Sequence, residues 1–330
     1  MLGGDAALVK RKLECIDAGS EYCPCYLAET NECITCSHLQ GKEFCDCNWR
    51  GVCIYQEYVW SGYKSKGIRC TCRAALLEKK YLSPNTILFR LGVTRTLARE
   101  LDNPGAYIFI RNEDKPSYFD VPMSVMAVNT EENEISVAMQ VVGAKTKALE
   151  SVREGLVIRG PYWNGILGQR YLKGMKDGNC LVIARGIGQA PAAKVVRYLC
   201  RGDNQVKIIA DPGKVGTIFI KEFIGNAPCE IEELDLTSKQ GLRIINKYLK
   251  NEKYDIVFSG GSDKQHLYII QEIDKVQDKP YLVVTNNNEI CCGEGVCGSC
   301  STRIESGVRV KACKVQLDVR KAIERRILNG

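Results

Sequence analysis

Residues 180–200 read CLVIARGIGQAPAAKVVRYLC. The apolar run at the start predicts a buried strand, the Gly186-Ile-Gly188 segment predicts a turn, and the remainder predicts a helix. The same alternation continues to about residue 285. QVKIIAD, EEL and YDIVFSGG are the further strand candidates, and RIINKYLK and KQHLYIIQEI are the helix candidates. Strands that alternate with helices in this way predict a parallel sheet over residues 166–285.

Glycine loops at the ends of two of these strands are candidates for binding a dinucleotide. Glycines between a strand and a helix let the backbone close on a pyrophosphate at the positive end of the helix. A later loop of the same sheet should face the same ligand, because parallel strands bind ligands at their carboxyl ends. The alternative is a tight turn without a ligand. The candidate residues are Gly186, Gly188 and Pro191 in the first loop and Ser259, Gly260 and Gly261 in the second.

The choice between NAD(H) and NADP(H) depends on the end of the strand QVKIIAD. Asp211 ends that strand, where an acidic side chain favours the ribose 2′-hydroxyl of NAD. Lys214 is near enough in sequence to favour a 2′-phosphate instead. The sequence therefore leaves both nucleotides open and favours NAD.

Residues 74–165 contain short β-rich segments separated by turns. The segments are RAALLEKKYL, TILFRLGV, AYIFIRN, VPMSVMAV and ISVAMQVV, and TRTLAREL is a short helical insertion. Several short strands at this spacing predict a small antiparallel barrel.

Four cysteines near the C-terminus have the C-x4-C-x2-C…C spacing of a plant-type [2Fe–2S] ligand set. They are Cys292, Cys297, Cys300 and Cys313. Gly293, Gly295 and Gly298 lie between them, and glycine reaches the positive φ angles that a loop needs to wrap a cluster. Structural zinc or buried free thiols are the alternatives.

Ten of the eighteen cysteines lie before residue 73. Two thiolates separated by one or two residues can chelate a metal from a single turn. A segment this small also needs a bound metal or a cross-link to fold. Iron–sulfur clusters and structural zinc, with His38 as a further ligand, both remain open. The predicted ligands are Cys23, Cys25, Cys33, Cys36, Cys45, Cys47 and Cys53, with Cys70 and Cys72 as further candidates.

Composition excludes several classes of function. The chain has 330 residues and a net charge of +7, but its basic residues are interspersed with acids, so nucleic-acid binding is not expected. No apolar stretch is long enough to span a membrane, and the N-terminus lacks the apolar region of a signal peptide, so a cytoplasmic location is expected. From Arg303 onward the sequence contains eight Lys or Arg residues and three Asp or Glu residues. This local excess of positive charge predicts either a solvated helix face or a docking surface for an acidic redox partner. His266 is expected at the surface.

These motifs, in this order, resemble the ferredoxin-reductase superfamily. Specifically, they resemble the electron-transfer subunit of class B dihydroorotate dehydrogenase and the small subunit of NADH-dependent ferredoxin:NADP oxidoreductase. The resemblance covers roughly residues 74–315 and leaves out the cysteine-rich N-terminus. It places the first cluster ligand at Cys292, so the adjacent Cys291 is not expected to bind iron.

The resemblance also implies a set of flavin-binding residues. Pro104–Arg111 resembles the strand beside the flavin, Val121–Val125 resembles R-P-x-S-I, Gly143–Thr146 resembles the loop around the FAD pyrophosphate, and Gly160–Gly165 resembles G-P-L-G-N-G. The family's Arg is Val121 here, and Lys145 is the candidate for replacing its charge. Arg185 stands where the family has glycine, and Ser259 stands near the place of the family's cysteine. The implied flavin-site residues are Tyr107, Arg111, Pro122, Met123, Ser124, Val125, Gly143, Lys145, Thr146, Gly160 and Asn164.

The resulting hypothesis is a multi-domain α+β electron-transfer subunit of an NAD(P)H-dependent oxidoreductase, without a catalytic side chain of its own. Expected cofactors are FAD, a [2Fe–2S] cluster, NAD(H) or NADP(H), and additional iron–sulfur clusters or zinc. Expected partners are a flavoprotein oxidoreductase subunit and ferredoxin, in an anaerobic cell. The alternative is a redox-sensing or zinc-binding regulatory protein on a reductase fold. The expected domains are a metal-binding module (1–75), an FAD-binding barrel (76–165), a nucleotide-binding α/β domain (166–285) and a cluster segment with a C-terminal helix (286–330).

Overall fold

A computed structural model describes residues 13–225, 227–304 and 307–329. The chain forms two compact units. Unit 1 comprises Met1–Ile68 and Glu294–Gln316, and unit 2 comprises Arg69–Gly293 and Leu317–Gly330. No helix among the described residues is both long enough and apolar enough to cross a membrane.

Sixteen strands and seven α-helices make up the described part of the chain. The strands are β1 (Glu14–Cys15), β2 (Thr71–Ser83), β3 (Thr86–Gly92), β4 (Tyr107–Asn112), β5 (Val121–Asn129), β6 (Glu134–Gln140), β7 (Gly155–Tyr162), β8 (Ile166–Leu167), β9 (Asn179–Arg185), β10 (Gln205–Asp211), β11 (Cys229–Glu233), β12 (Ile256–Gly260), β13 (Tyr281–Thr285), β14 (Ser301–Arg303), β15 (Arg309–Lys311) and β16 (Val315–Gln316). The helices are α1 (Ile54–Trp60), α2 (Arg95–Glu100), α3 (Ala144–Lys147), α4 (Gln189–Cys200), α5 (Lys239–Asn251), α6 (Asp263–Ile273) and α7 (Val319–Asn329).

The first half of unit 2 is a closed antiparallel barrel with strand order β2-β3-β6-β5-β4-β7, which confirms the predicted barrel. Its core contains Phe89, Ile108 and Val137, all of them fully buried. The sequence predicted five of the six strands and missed β7, where Gly160 and Pro161 interrupt the β-rich pattern. A side chain at Gly160 would begin 2.9 Å from Ile108, so glycine allows β7 to approach β4.

The second half of unit 2 is a three-layer α/β structure, which confirms the predicted parallel sheet. Its strand order is β11-β10-β9-β12-β13-β8, and only β8 runs antiparallel to its neighbour. Helix α4 packs with one apolar cluster of the sheet, and α5, α6 and α7 pack with the other. The first of the parallel strands, β9, lies between β10 and β12, so the chain first extends the sheet on one side of β9 and then on the other. Ligands bind at such a switch point, outside the carboxyl ends of the strands.

Unit 1 has little regular structure and a small apolar core. Strand β1 pairs with β16, with Cys15 opposite Val315, and β14 pairs with β15. Ala28, Cys36, Leu39 and Ile54 form a small buried apolar cluster in its N-terminal part. So small a cluster rarely stabilises a domain without a metal or a disulfide, and Cys15, Cys23, Cys25 and Cys33 form no disulfide.

Unit 1 also buries three charged side chains. Lys314 is fully buried, and its Nζ lies 2.6 Å from Asp17 Oδ2 and 3.1 Å from Glu294 Oε2. The backbone NH of Ile16 donates to the Lys314 carbonyl, which continues the β1–β16 pairing. A buried ion cluster of this kind ties Asp17 near the N-terminus to the C-terminal segment of the same unit.

In unit 2, β2 begins at Thr71, where it pairs with Arg159 of β7. The last residues of the segment 1–75 that the sequence assigned to a cysteine-rich module therefore lie in the barrel. Cys70 and Cys72 belong to unit 2, whereas the other cysteines before residue 73 belong to unit 1. Both thiols are exposed.

Candidate cofactor sites

The two glycine loops predicted to bind a nucleotide meet at the carboxyl edge of the sheet. A Cβ on Gly188 would lie 2.4 Å from the Gly260 backbone, and a Cβ on Gly260 would lie 2.6 Å from the Gly188 carbonyl oxygen. Both positions therefore require glycine for the loops to pack. Pro191 is buried in the first turn of α4, where proline is tolerated because that NH has no partner within the helix. The loops form one surface at the switch point.

Asp211 lies beside this surface, but protein donors already use both of its carboxylate oxygens. Oδ1 accepts from the Gly213 NH at 2.6 Å, and Oδ2 accepts from Arg185 Nε at 2.9 Å and from the Leu236 NH at 2.8 Å. Asp211 is 3% exposed. Its carboxylate therefore joins the end of β9 to the loops after β10 and β11.

A cavity of about 430 Å³ opens at this edge, and its rim is acidic. Arg185, Asp211, Glu233 and Asp235 all line it, so one positive and three negative charges give 1 − 3 = −2. Hydrogen bonds from Thr237 hold the pKa of Asp235 below its usual range. The residues that line the rim therefore carry a net negative charge, although Glu233 also pairs with Lys221 at 2.8 Å.

Ser259 is part of a buried polar network that includes His266. Ser259 Oγ lies 2.9 Å from His266 Nδ1, and Thr285 Oγ1 lies 3.0 Å from His266 Nε2. His266 is fully buried, so its expected surface position is wrong. Burial lowers the pKa of His266 to about 4, so the ring is neutral and orients the two hydroxyls. The sequence could have predicted this burial, because His266 lies on the same helix face as three apolar residues: Ile269, Ile270 and Ile273.

Three of the predicted flavin motifs come together in the barrel. Tyr107 on β4 lies opposite Ser124 on β5, and its ring stacks on Tyr162 of β7 with 5.1 Å between ring centroids. The Gly165 NH donates to the Gly105 carbonyl at 2.8 Å, and a Cβ on Gly165 would lie 2.7 Å from that oxygen. The segment that contains β4 is thus held beside β5 and beside the segment that follows β7.

Residues of the V-P-M-S-V segment alternate between two sides of β5. Met123 and Val125 are buried in the barrel core, whereas Pro122 is exposed and Ser124 is partly exposed. The side chains of Met123 and Val125 therefore support the strand from within. Asn164, from the segment that follows β7, is fully buried, and its carbonyl accepts from Asn286 Nδ2 at 2.7 Å.

The Gly143–Thr146 loop is closed by its own threonine. Thr146 Oγ1 lies 3.0 Å from the backbone nitrogens of Val142 and Gly143, which donate to it. A Cβ on Gly143 would meet no atom within 4 Å, so the space in front of this loop is open. Lys145 Nζ lies 3.4 Å from the Asp120 carbonyl. The loop therefore has the open face that a bound phosphate needs.

Two arginines lie beside the position where Val121 replaces the family's arginine. Arg111 Nη1 donates to Asp120 Oδ1 at 2.8 Å, and Arg159 Nη2 donates to Asp120 Oδ2 at 3.1 Å. Two guanidinium groups around one carboxylate leave a net charge of +1. Sequence reasoning missed Arg159, although it directly precedes the Gly160–Pro161 motif. Arg159 also donates to the Cys292 carbonyl at 2.9 Å.

The predicted [2Fe–2S] ligands are divided between the units: Cys292 belongs to unit 2, and Cys297, Cys300 and Cys313 belong to unit 1. Within unit 1, Cys300 and Cys313 are buried, and the Cys313 NH lies 3.4 Å from Cys300 Sγ, to which it donates. Gly293, Gly295 and Gly298 have φ angles of 72°, 81° and 78°, in the left-handed region that favours glycine.

The remaining cysteines of unit 1 form two neighbourhoods. Cys15, Cys23, Cys25 and Cys33 line one enclosed cavity, and burial raises the pKa of Cys23 to about 12. Cys45 Sγ and Cys47 Sγ lie 3.7 Å apart, and Cys36 interacts electrostatically with Cys47 and Cys53. His38 Nδ1 lies 3.2 Å from the Lys42 carbonyl. Among the residues that the structure describes, no three His, Cys, Asp or Glu side chains are grouped so as to hold a metal ion.

Comparison with known structures identifies the architecture. The chain matches the structure of an NADH-dependent reduced ferredoxin–NADP oxidoreductase with a TM-score of 0.60 and 19% identity, over 77% of this chain and 98% of that one. The chain has the ferredoxin-reductase fold. No protein-family model matches the sequence.

Sequence relatives within this fold agree with the resemblance found from the motifs. The electron-transfer subunit of dihydroorotate dehydrogenase B from Clostridium perfringens is 23% identical over 216 residues, covering 64% of this chain and 82% of that protein. Sulfhydrogenase 2 subunit gamma from Pyrococcus furiosus is 24% identical over 261 residues, covering 69% and 87%. The resemblance to ferredoxin-reductase-type electron-transfer subunits is therefore confirmed.

Proposed function

We propose that the chain is an electron-transfer flavoprotein subunit that moves electrons between NAD(P)H, FAD, a [2Fe–2S] cluster and a partner oxidoreductase. The observation that carries the proposal is the convergence of three barrel motifs within unit 2. The register of β4 with β5, and the contact of Gly105 with Gly165, bring these segments together although they are scattered over about 60 residues of sequence. The relatives' names support an electron-transfer role.

The residues of unit 2 fit a bound FAD in charge and in space. Gly143 faces open space, Thr146 holds the loop in shape, and Arg111 and Arg159 provide a net positive charge nearby. FAD, when bound, supplies the conversion between two-electron hydride chemistry and one-electron transfer. The protein's contribution is to orient the cofactor, to exclude water and to set the local charge.

NAD(H) is the proposed nucleotide. Asp211, Glu233 and Asp235 outnumber Arg185 around the cavity, and this charge opposes a 2′-phosphate. Glu233→Gln combined with Asp235→Asn should therefore lower the preference for NADH over NADPH by about tenfold, which corresponds to about 1.4 kcal/mol. Lys221→Met, which removes the cationic partner of Glu233, serves as a control and should not increase the use of NADPH. An unchanged preference in the double variant would contradict the assignment.

Cys292, Cys297, Cys300 and Cys313 are the proposed [2Fe–2S] ligands. Their spacing supports this assignment, and an amide donor to the Cys300 sulfur suits a thiolate ligand. Arg159, which donates to the Cys292 carbonyl, would favour the reduced cluster because it places a positive charge nearby.

A separate oxidoreductase subunit is the proposed partner. The basic C-terminal region does not by itself provide the docking surface, because several of its charges are already paired. Arg320 pairs with Asp274 and Arg326 pairs with Asp263, both within unit 2. These ion pairs favour the simpler explanation of a solvated helix face for α7.

Anaerobic purification of the full chain tests the proposed function. A flavoprotein spectrum, one FAD per chain and bleaching of the flavin bands by NADH are the expected results. Chemical analysis for iron and sulfide on the same sample tests the cluster. A colourless protein that contains zinc and does not react with NADH or NADPH would refute the proposal and support the regulatory alternative.

A further inference from the structure

We propose that Cys15, Cys23, Cys25 and Cys33 together bind one iron–sulfur cluster, in the cavity that these four side chains line within unit 1. The site deepens the proposed electron-transfer function, because it adds a redox centre with a defined ligand set. The sequence indicated three of these ligands but not Cys15, which has no cysteine partner close to it in the chain.

The fold brings Cys15 to the cavity. Cys15 belongs to β1, whose only strand partner among the described residues is β16, with Cys15 opposite Val315. Asp17, two residues later, is held by Lys314 at 2.6 Å. The N-terminal strand is thus fixed by the C-terminal segment of unit 1, and its cysteine joins the other three at the cavity wall.

The ligand chemistry of the cavity is that of soft thiolates in an apolar enclosure. Leu27, Ala28, Ile34 and Ile54 supply apolar walls, and the four cysteines supply sulfur. Four thiolates without nitrogen ligands select zinc or an iron–sulfur cluster over harder metal ions. All four thiols are free, so no disulfide competes for them.

The proposed electron-transfer role favours a cluster over a single zinc ion, because zinc has no redox chemistry. The four cysteines surround a common space of about 10 Å³. A cluster contains several metal atoms and inorganic sulfides, so the four thiolates must move outward to admit it.

The buried ion cluster does not offset the negative charge of a four-thiolate cluster. Asp17 and Glu294 outnumber Lys314, so these three side chains leave a net charge of −1 within the same unit. Burying further negative charge is costly, so this site favours a cluster of low net charge.

The geometry also divides the Cys33-x2-Cys36 pair between two neighbourhoods. Cys33 lines the cavity, whereas Cys36 does not line it; the Cys36 thiol interacts electrostatically with Cys47 and Cys53 as well as with Cys33. The Cys36 NH lies 3.4 Å from Cys33 Sγ and donates to it, so Cys36 supports the site through its backbone. Spacing alone would have assigned both cysteines to the same metal.

The test uses the full chain purified anaerobically, with iron counting and EPR of the reduced protein. Cys15→Ser and Cys33→Ser should each abolish the same EPR signal and remove the same number of iron atoms. Cys36→Ser is the matched control and should retain that signal. A Cys15→Ser protein that keeps every EPR signal and its full iron content would overturn the site. The site would also be overturned if Cys33→Ser and Cys36→Ser lost the same signal and Cys15→Ser kept it. Zinc in place of iron at this site would overturn the cluster assignment.

If Cys15→Ser disrupts folding, a second variant tests the same ligand: it carries selenocysteine, enriched in a magnetic selenium isotope, at position 15. The replacement is nearly isosteric, and a ligand selenium should split or broaden the EPR signal that Cys33→Ser abolishes. An unaltered line shape would overturn the proposal. FAD content and NADH oxidation in the same samples report on unit 2, so failure of this site is distinguishable from failure of the proposed function.

Discussion

Lys314→Met should destabilise unit 1 more than any exposed substitution in it. Methionine approximates the length of lysine but carries no charge, so Asp17 and Glu294 would remain buried without their shared cation. The side chains of both carboxylates are only 3% exposed, and that of Lys314 is 0% exposed. Removing one partner from a buried ion pair costs about 3–5 kcal/mol, because the remaining charges cannot be solvated.

Hydrogen exchange measured by mass spectrometry provides the assay. Peptides from residues 13–68 report the opening of unit 1, and a cost of 3–5 kcal/mol corresponds to about 150- to 5000-fold faster exchange in the protected amides. Lys42→Met is the matched control, since Lys42 pairs with Asp46 at 2.7 Å but both side chains are at least 40% exposed. An exposed pair contributes about 0–1 kcal/mol, so exchange there should change by less than about fivefold.

A second variant isolates the electrostatic cause. Combining Lys314→Met with Asp17→Asn and Glu294→Gln removes the uncompensated charges, and replacing a whole buried ion cluster is often nearly neutral. Exchange should then slow again toward the rate of the unaltered protein. If Lys314→Met accelerates exchange by no more than Lys42→Met does, the reasoning from buried charge is refuted.

Three further predictions follow from the sites in unit 2 and from the cysteine spacing. The pKa of His266 is about 4 in the folded protein and 6.5 in the unfolded chain, so unfolding takes up a proton between these pH values; the contribution of His266 to the free energy of unfolding is complete above about pH 6.5 and declines as the pH falls toward 4. Urea unfolding should therefore show a loss of about 2 kcal/mol between pH 7 and pH 5. His266→Gln should largely remove this loss, and an equal loss in that variant would disprove the assignment. Gly143→Leu should fold normally, because its side chain meets open space, yet should purify with little FAD; stoichiometric FAD would contradict the proposed pyrophosphate loop. Cys297→Ser should abolish the [2Fe–2S] EPR signal while FAD stays bound, whereas Cys291→Ser should leave the signal intact; persistence of the signal in Cys297→Ser would show that the ligand set is incorrect.

Local patterns were sufficient to predict most of unit 2. The β-branched content and the length of the segments located five barrel strands, and the strand–glycine–helix pattern located β9 and α4. Strand β7 was missed because Gly160 and Pro161 weaken the local β signal. It forms a strand because the barrel must close, and closure depends on pairing with β2 and β4.

The polar contacts of the sites were less accessible to local reasoning. His266 and Arg159 each bind groups distant in sequence: Thr285 is 19 residues from His266, and the Cys292 carbonyl is 133 residues from Arg159. Neither contact leaves a local motif. Asp211 was assigned to the nucleotide site from its position at a strand end, but its three protein donors come from the end of β9 and from the loops after β10 and β11.

The sequence by itself determined the order of the parts and the chemical types of the candidate ligands. Strand and helix periodicity are local, and the spacing of Cys292, Cys297 and Cys300 fits within a single loop, so one stretch of chain carries the whole signal. Tertiary structure alone decided which cysteines share a cavity and which charges are buried together. Cys15 joins Cys23, Cys25 and Cys33 through the pairing of β1 with β16, and Lys314 meets Asp17 across 297 residues. Such groupings arise from long-range pairing and burial, which no local pattern in the chain encodes.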